Sequence, residues 1–117
     1  PKFTDEEKAQ RKAALNLATK GAIEIPMEVM KTALSSMDLI KEMATHGNPN
    51  SVSDAGVGAI CVRTAVEGAG LNVKINCVGF EDKEYVDNAK NQVNEMLDKA
   101  KVMEREIVSI VEKLMDK

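Results

Sequence analysis

The sequence predicts an all-α chain, a bundle of long helices around a central, buried Gly/Ala-rich helix. Three observations lead there. Apolar residues recur at helical spacing over long stretches, which defines amphipathic helices. Only three residues are aromatic (Phe3, Phe80 and Tyr85) against seven methionines, so aliphatic and thioether side chains fill the core, a composition better suited to helices than to sheets. One cluster alone, residues 47–51, combines Gly, Pro, Asn and Ser into a strong breaker.

The first helix is expected over about residues 4–45. Thr4-Asp5-Glu6-Glu7 reads as a capping box, with Thr4 as N-cap and Glu7 reaching back to it. A stripe follows through Leu15, Ala18, Ala22, Ile25, Val29, Ala33, Met37, Ile40 and Ala44. Pro26 lacks the N–H that would bond to Ala22 and crowds that turn. Because the stripe keeps phase across it, a continuous helix kinked near Pro26 is expected rather than two helices.

In the breaker, Gly47 is expected as a left-handed cap and Pro49 as the stop. Ser51 or Ser53 then caps the second helix, expected over about 52–78, with Asp54 at its positive end. That helix is nearly uncharged and carries Gly56, Gly58, Gly68 and Gly70. Each glycine inside a helix costs about 1 kcal/mol relative to alanine. Its stability must come from packing, and its small residues admit a close neighbour or a ligand.

The third helix, about 81–116, carries a seam of Val86, Ala89, Val93, Met96, Ala100, Met103, Ile107, Ile110 and Leu114 with charges elsewhere. Two amphipathic helices cannot cover every side of an apolar third. Other copies or further residues are needed to complete the core, and a homo-oligomer, at least a dimer, is expected. The whole chain, 1–117, reads as a single helical domain. Its start at Pro1 rather than Met is what a piece of a longer protein would show.

A net charge of −3 argues against sequence-independent nucleic-acid binding, which needs a basic face. No apolar run reaches the roughly 20 residues of a membrane span, and no leader pattern opens the chain. A cytoplasmic location with no membrane association is expected. Cys61 and Cys77 are too few for a disulfide framework or a zinc site and read as small hydrophobes. A single histidine, His46, builds no multi-histidine metal site, and none is expected; beside the breaker it reads as a helix C-terminal cation.

Polar chemistry is concentrated in Asn48, Asn50, Ser53 and Asp54. Capping and turn formation account for these residues; so does a polar pocket floor for a heteroatom-rich ligand. Asn72 and Asn76 lie four apart and share a helix face, where they either satisfy backbone at a helix contact or read a ligand's ring edge. Lys74 either reaches solvent past a neighbouring helix or attracts an anionic ligand tail.

The stretch Gly47-Asn48-Pro49-Asn50-Ser51-Val52-Ser53-Asp54-Ala55-Gly56-Val57-Gly58-Ala59 resembles the GNPN-x-x-SDAGV-x-A stretch of the cyclodeaminase-like family. Residues Ala65 to Asn76 resemble its AVEGA-x-LNV-x-IN stretch, and Pro1-Lys2 with the acidic residues and Ala22 to Pro26 fits its N-terminal pattern. The family contains the cyclodeaminase domain of formiminotransferase-cyclodeaminase and bacterial methenyltetrahydrofolate cyclohydrolases. The resemblance implies a helical domain of about 200 residues, of which this chain is the C-terminal portion. The family's Gly-rich P-T-P-G-G-G-S segment lies in the N-terminal half and is not present here.

It implies a tetrahydrofolate derivative as substrate and no required cofactor. The implied activity is conversion of 5-formiminotetrahydrofolate to 5,10-methenyltetrahydrofolate and ammonia; alternatives are hydrolysis of the methenyl bridge and a non-catalytic folate-binding or dimerisation module. Asp54 is the candidate acid/base, being the one carboxylate in the polar cluster. Asn48, Asn50, Ser53, Asn72, Asn76 and Lys74 are the candidate pocket lining.

Overall fold

The computed structural model describes residues 3–116; Pro1 and Lys2, which open the family-like N-terminal pattern, lie outside them. Four helices follow in order: α1 (Asp5–Ser35), α2 (Met37–His46), α3 (Val52–Cys77) and α4 (Lys83–Met115). A 3-10 turn, Pro49–Ser51, leads into α3. No strand is present among the described residues. None of their helices is long and apolar enough to cross a membrane.

Thr4 starts α1 through the expected capping box. Its Oγ1 accepts from the Glu7 N–H at 3.1 Å while Glu7 Oε1 accepts from the Thr4 N–H at 3.2 Å. The continuity expected across Pro26 holds, but the long first stretch is not one helix to residue 45. Pro26 sits inside α1, which continues through it, and the helix is broken at Ser36 instead. There the Ser36 Oγ donates to the Ala33 carbonyl at 2.6 Å, and the Ser36 N–H reaches the same carbonyl at 3.1 Å. Ser35 bonds back to Thr32 in the same way, at 2.6 Å. Adjacent serine back-bonds tighten the turn and separate α1 from α2.

Gly47 is also not the left-handed cap expected of it. Its backbone is extended, at φ −78° and ψ −172°, and glycine is needed because a Cβ would run into the Met43 carbonyl. The left-handed residue is Gly79, at φ 78°, in the turn from α3 to α4. Asp82 then caps α4, accepting from the Tyr85 N–H at 3.1 Å.

α3 lies between α1 and α4, which pack on it from two sides. Toward one end Ile23, Met27 and Met30 meet Val66, Val73 and Val93; toward the other Met37 and Ala44 of α2 meet Ala55, Ala59, Ile107 and Val111. The α4 seam is close to the predicted one, with Val86, Ala89, Val93, Ala100 and Ile107 buried and Leu114 left exposed. The α1 face is not. Ile23, Met27 and Met30 point to the core, whereas Ile25 and Val29 of the predicted stripe are 69% and 48% exposed. Helix α1 is apolar on two faces, and flexible Met30 takes the inward place because its Cε fits over Gly70, 3.3 Å from where a Cβ would stand.

Burial of α3 is therefore one-sided. Ala59, Val66 and Val73 have no exposed surface, but Val57, Ile60, Leu71 and Ile75 on the far side are open. The molecule is an elongated layer of 73 × 20 × 16 Å.

Candidate functional site

The breaker segment builds a capped helix entrance. Pro49 sets the first position of the 3-10 turn, and the Asn48 side chain accepts from the Asn50 N–H at 2.9 Å. Ser51 precedes α3 without a side-chain bond, so the capping chemistry expected of Ser51 or Ser53 is supplied by Asn48 one turn earlier. Ser53 and Asp54 lie in the first turn of α3, both exposed, with the Asp54 carboxylate at the positive helix end. No three His, Cys, Asp or Glu groups gather into a metal cluster among the described residues.

Asn72 and Asn76 belong to a second place. They line an open groove of about 470 Å³ between α1 and α3, with Ala22, Ile25, Pro26 and Val29 on its α1 side and Ala65 and Ala69 on its α3 side. The Asn76 Nδ2 donates to the Ala22 carbonyl at 2.9 Å. That carbonyl is the one Pro26 leaves without a helical donor, so the helix contact is satisfied by the side chain. Asn72, one turn away, is exposed on the same rim, with no side-chain hydrogen bond among the described residues. The groove combines an apolar wall with amides at one edge, a pattern suited to a flat heteroaromatic ring.

Asp54 and Asn72 sit on the same line of α3, five turns apart, or about 27 Å at 1.5 Å per residue. Within one copy the structure thus divides the candidate residues: Asn48, Asn50, Ser53 and Asp54 at the α3 entrance, Asn72 and Asn76 in the groove. Lys74 is with neither. It is half-buried on the α4 side, against Glu67, Gly70, Leu71 and Leu97.

Two side-chain clusters escape sequence reasoning. Arg63 reaches from α3 to Glu67 at 3.3 Å and across to Glu104 of α4 at 3.1 Å. Tyr85 donates its hydroxyl to Glu24 at 2.9 Å and lies under Lys20, 5.1 Å from its ring centroid. Burial, and then the Glu24 carboxylate, push the Tyr85 hydroxyl up to about 12. Tyr85 borders a second cleft of about 440 Å³ between α1 and α4, floored by Ile23, Met27 and Ala89. Of the two cysteines Cys77 is buried, as expected, and Cys61 is exposed.

An all-helical layer with an acid-bearing helix entrance and an amide-edged groove belongs to a known class: the chain is a member of the formiminotransferase-cyclodeaminase family, whose sequence profile matches residues 1–95. Among individual relatives, a methenyltetrahydrofolate cyclohydrolase of Methylorubrum extorquens is 32% identical over 95% of this chain and 53% of its own length. The formimidoyltransferase-cyclodeaminases of Dictyostelium discoideum and Gallus gallus are 33% and 32% identical over 87% and 97% of the chain, and over 19% and 21% of their own lengths. The chain spans about half of the cyclohydrolase and about a fifth of the bifunctional proteins.

Proposed function

We propose that the protein to which this chain belongs is a tetrahydrofolate one-carbon enzyme of the cyclodeaminase type, acting in the cytosol as a homo-oligomer. Residues 1–117 are then the C-terminal portion of its cyclodeaminase-like domain. One observation carries the reading: relatives named for two folate reactions match 87% to 97% of the chain, across both the Asp54 entrance and the Asn72–Asn76 groove.

In ring closure, N10 of 5-formiminotetrahydrofolate attacks the formimino carbon and ammonia departs once its nitrogen is protonated. The protein's work is to hold the folate so that N10 faces the carbon, and to supply one acid/base. Asp54, about 27 Å along α3 from the Asn72–Asn76 groove within one copy, takes the proton from N10 and returns it to the leaving nitrogen once a further copy or the rest of the domain brings the acid to the groove. The apolar wall of Ile25, Pro26 and Val29 seats the pterin face, Asn72 and the free Oδ1 of Asn76 meet its polar edge, and Asn48, Asn50 and Ser53 surround Asp54. Lys74 attracts the anionic glutamate tail. No cofactor is needed, because the reacting carbon is already at its final oxidation level.

A second reading is favoured by the match to a cyclohydrolase over 95% of this chain. There the Asp54 carboxylate acts as base, taking a proton from water as it adds to the methenyl carbon and returning it to N5 as the C–N5 bond breaks, giving 10-formyltetrahydrofolate.

The full-length protein offered 5-formiminotetrahydrofolate will produce the methenyl absorption band and ammonia. Offered the methenyl compound, a cyclohydrolase will instead bleach that band faster than buffer does. Asp54→Asn will abolish turnover while the helical circular dichroism stays unchanged; a normal rate in that variant removes Asp54 from the mechanism. Folate binding without either product would identify a non-catalytic module.

A further inference from the structure

The bond from Asn76 to α1 does more than tie two helices. A primary amide has a donor end and an acceptor end of nearly equal shape, and an unbonded asparagine turns either one to a ligand. Asn76 has no such choice. The Ala22 carbonyl is an acceptor only, so the Nδ2 end must face it, as it does at 2.9 Å. The carbonyl is open to a side chain because residue 26 is proline and brings no N–H to it. Oδ1 is left as the unbonded end among the described residues, and Asn76 lines the α1–α3 groove. At this point the rim carries an acceptor that cannot be exchanged for a donor. Pro26, Val29, Ala65 and Ala69 around it are apolar, and Asn72, one turn along, is exposed with no side-chain hydrogen bond among the described residues. Asn72 therefore rotates to suit its neighbour, whereas Asn76 selects.

We propose that Pro26 is a positioning residue: acting through Asn76, it makes the groove select a ring edge that carries an N–H donor. The name of the ring rests on the folate reading. There Oδ1 of Asn76 accepts from the 2-amino group of the pterin. Asn72, about 6 Å along the helix, turns its Nδ2 to the 4-oxo group at the other end of the same edge. A ring with hydrogen or oxygen in place of the amino group leaves Oδ1 without a donor. The held amide has no second orientation with which to recover the bond, so the loss falls on affinity.

Calorimetry on the full-length protein tests it with tetrahydrofolate and its 2-desamino analogue, in the parent and in Pro26→Ala. Alanine restores the N–H at residue 26 and suits a helix better than proline, so this variant keeps its fold. The Ala22 carbonyl then has its own helical donor and the Asn76 amide is released. Losing the proline ring from the wall weakens both ligands alike, so the ratio of the two affinities reports the amide alone. The parent should bind the amino compound about tenfold more tightly than the analogue, the size of one net hydrogen bond. Pro26→Ala should lose most of that preference. Asn76→Asp in the Pro26→Ala background should restore it, because a carboxylate is an acceptor at both ends; a proline that served the fold alone would not be rescued in this way. Without ligand, nuclear magnetic resonance should find one Asn76 side-chain proton protected from exchange in the parent and unprotected in Pro26→Ala. Equal protection in the two, or an equal preference in the two, overturns the role of Pro26. A parent that binds both compounds equally well overturns the donor-edge selection and leaves the folate reading standing. If neither compound binds, the folate reading falls and the edge selection falls with it.

Discussion

The Asn76 side chain donates to the backbone carbonyl of Ala22 at 2.9 Å, taking the place of the N–H that Pro26 does not have. A proline inside a helix removes one bond and leaves the carbonyl four residues earlier unpaired. Here that carbonyl turns toward α3 and ties the two helices together at the groove. The carbonyl that Pro26 leaves unpaired in α1 and the half-buried Asn76 amide of α3 satisfy each other.

A double-mutant cycle measures this bond. Asn76→Ala should cost about 1 kcal/mol in urea unfolding, the usual net value of a hydrogen bond. In a Pro26→Ala background the Ala22 carbonyl has its own helical donor again, and the same substitution should cost distinctly less. Equal costs in the two backgrounds would show that the bond does not contribute to stability.

Tyr85 gives a pH dependence with a clear direction. It is the chain's single tyrosine, so its ionisation is read without interference in the near ultraviolet. In the folded chain the hydroxyl is held up to about 12, against 10.0 for a free tyrosine, first by burial and then by Glu24. Between those values the unfolded chain gives up a proton that the folded chain keeps. The contribution to stability is full below pH 10 and is lost as pH rises toward 12. Tyrosinate absorbance should rise near pH 12 in the native protein and near pH 10 in urea. Tyr85→Phe should make stability flatter across that window.

Much of this was legible in the residues. The capping box at Thr4, the breaker at 47–51 and the seam of α4 follow from local rules that tertiary contacts leave alone. The break at Ser36 was not, because two serines bonding back to Thr32 and Ala33 look like any polar pair in a helical run. Nor was the inward face of α1. Ile25 and Val29 recur at helical spacing as Met27 and Met30 do, and it is the packing on α3 and α4, with Met30 fitting over Gly70, that turns the methionine side inward. Periodicity reports that a face is apolar, not what covers it.

For the candidate site the sequence joins Asp54, the polar residues beside it, Asn72, Asn76 and Lys74 into one pocket, whereas within one copy the structure sets them in three places. The 27 Å or so between Asp54 and Asn72 follows directly from their being on one unbroken helix. Asn76 fits the structural alternative considered for it, with its Nδ2 committed to Ala22 and its Oδ1 still open to a ligand.

Arg63 links α3 to α4 through unequal partners. The Glu104 side chain is 16% exposed and Glu67 is 54% exposed. Screening by water weakens the outer pair, and loss of the inner carboxylate leaves the guanidinium facing a half-buried gap. Glu104→Gln should therefore lower the melting temperature more than Glu67→Gln does. Added salt should narrow the difference between parent and Glu67→Gln first. Equal effects would mean that the α3–α4 contact draws nothing from the Arg63–Glu104 pair.

Three glycine-to-alanine substitutions should separate backbone freedom from close packing. At Gly21, inside α1, a Cβ meets nothing within 4 Å, so alanine should stabilise by about 0.5–1 kcal/mol through helix propensity alone. At Gly70 the same gain is set against contacts of 3.3 Å with Met30 Cε and Val93 Cγ1. Met30 has torsions to yield with but Val93 is stiff, so the change should come out close to neutral or slightly destabilising. At Gly47 the obstacle is the Met43 carbonyl, backbone that cannot move without opening the last turn of α2. Gly47→Ala should lose stability outright and loosen the segment that carries Asn48 and Asp54. Thermal unfolding of the three variants should rank them Gly21→Ala above the parent, Gly70→Ala near it and Gly47→Ala below. A stable Gly47→Ala would mean that the entrance to α3 bends freely, and that glycine there answers to something other than the Met43 carbonyl.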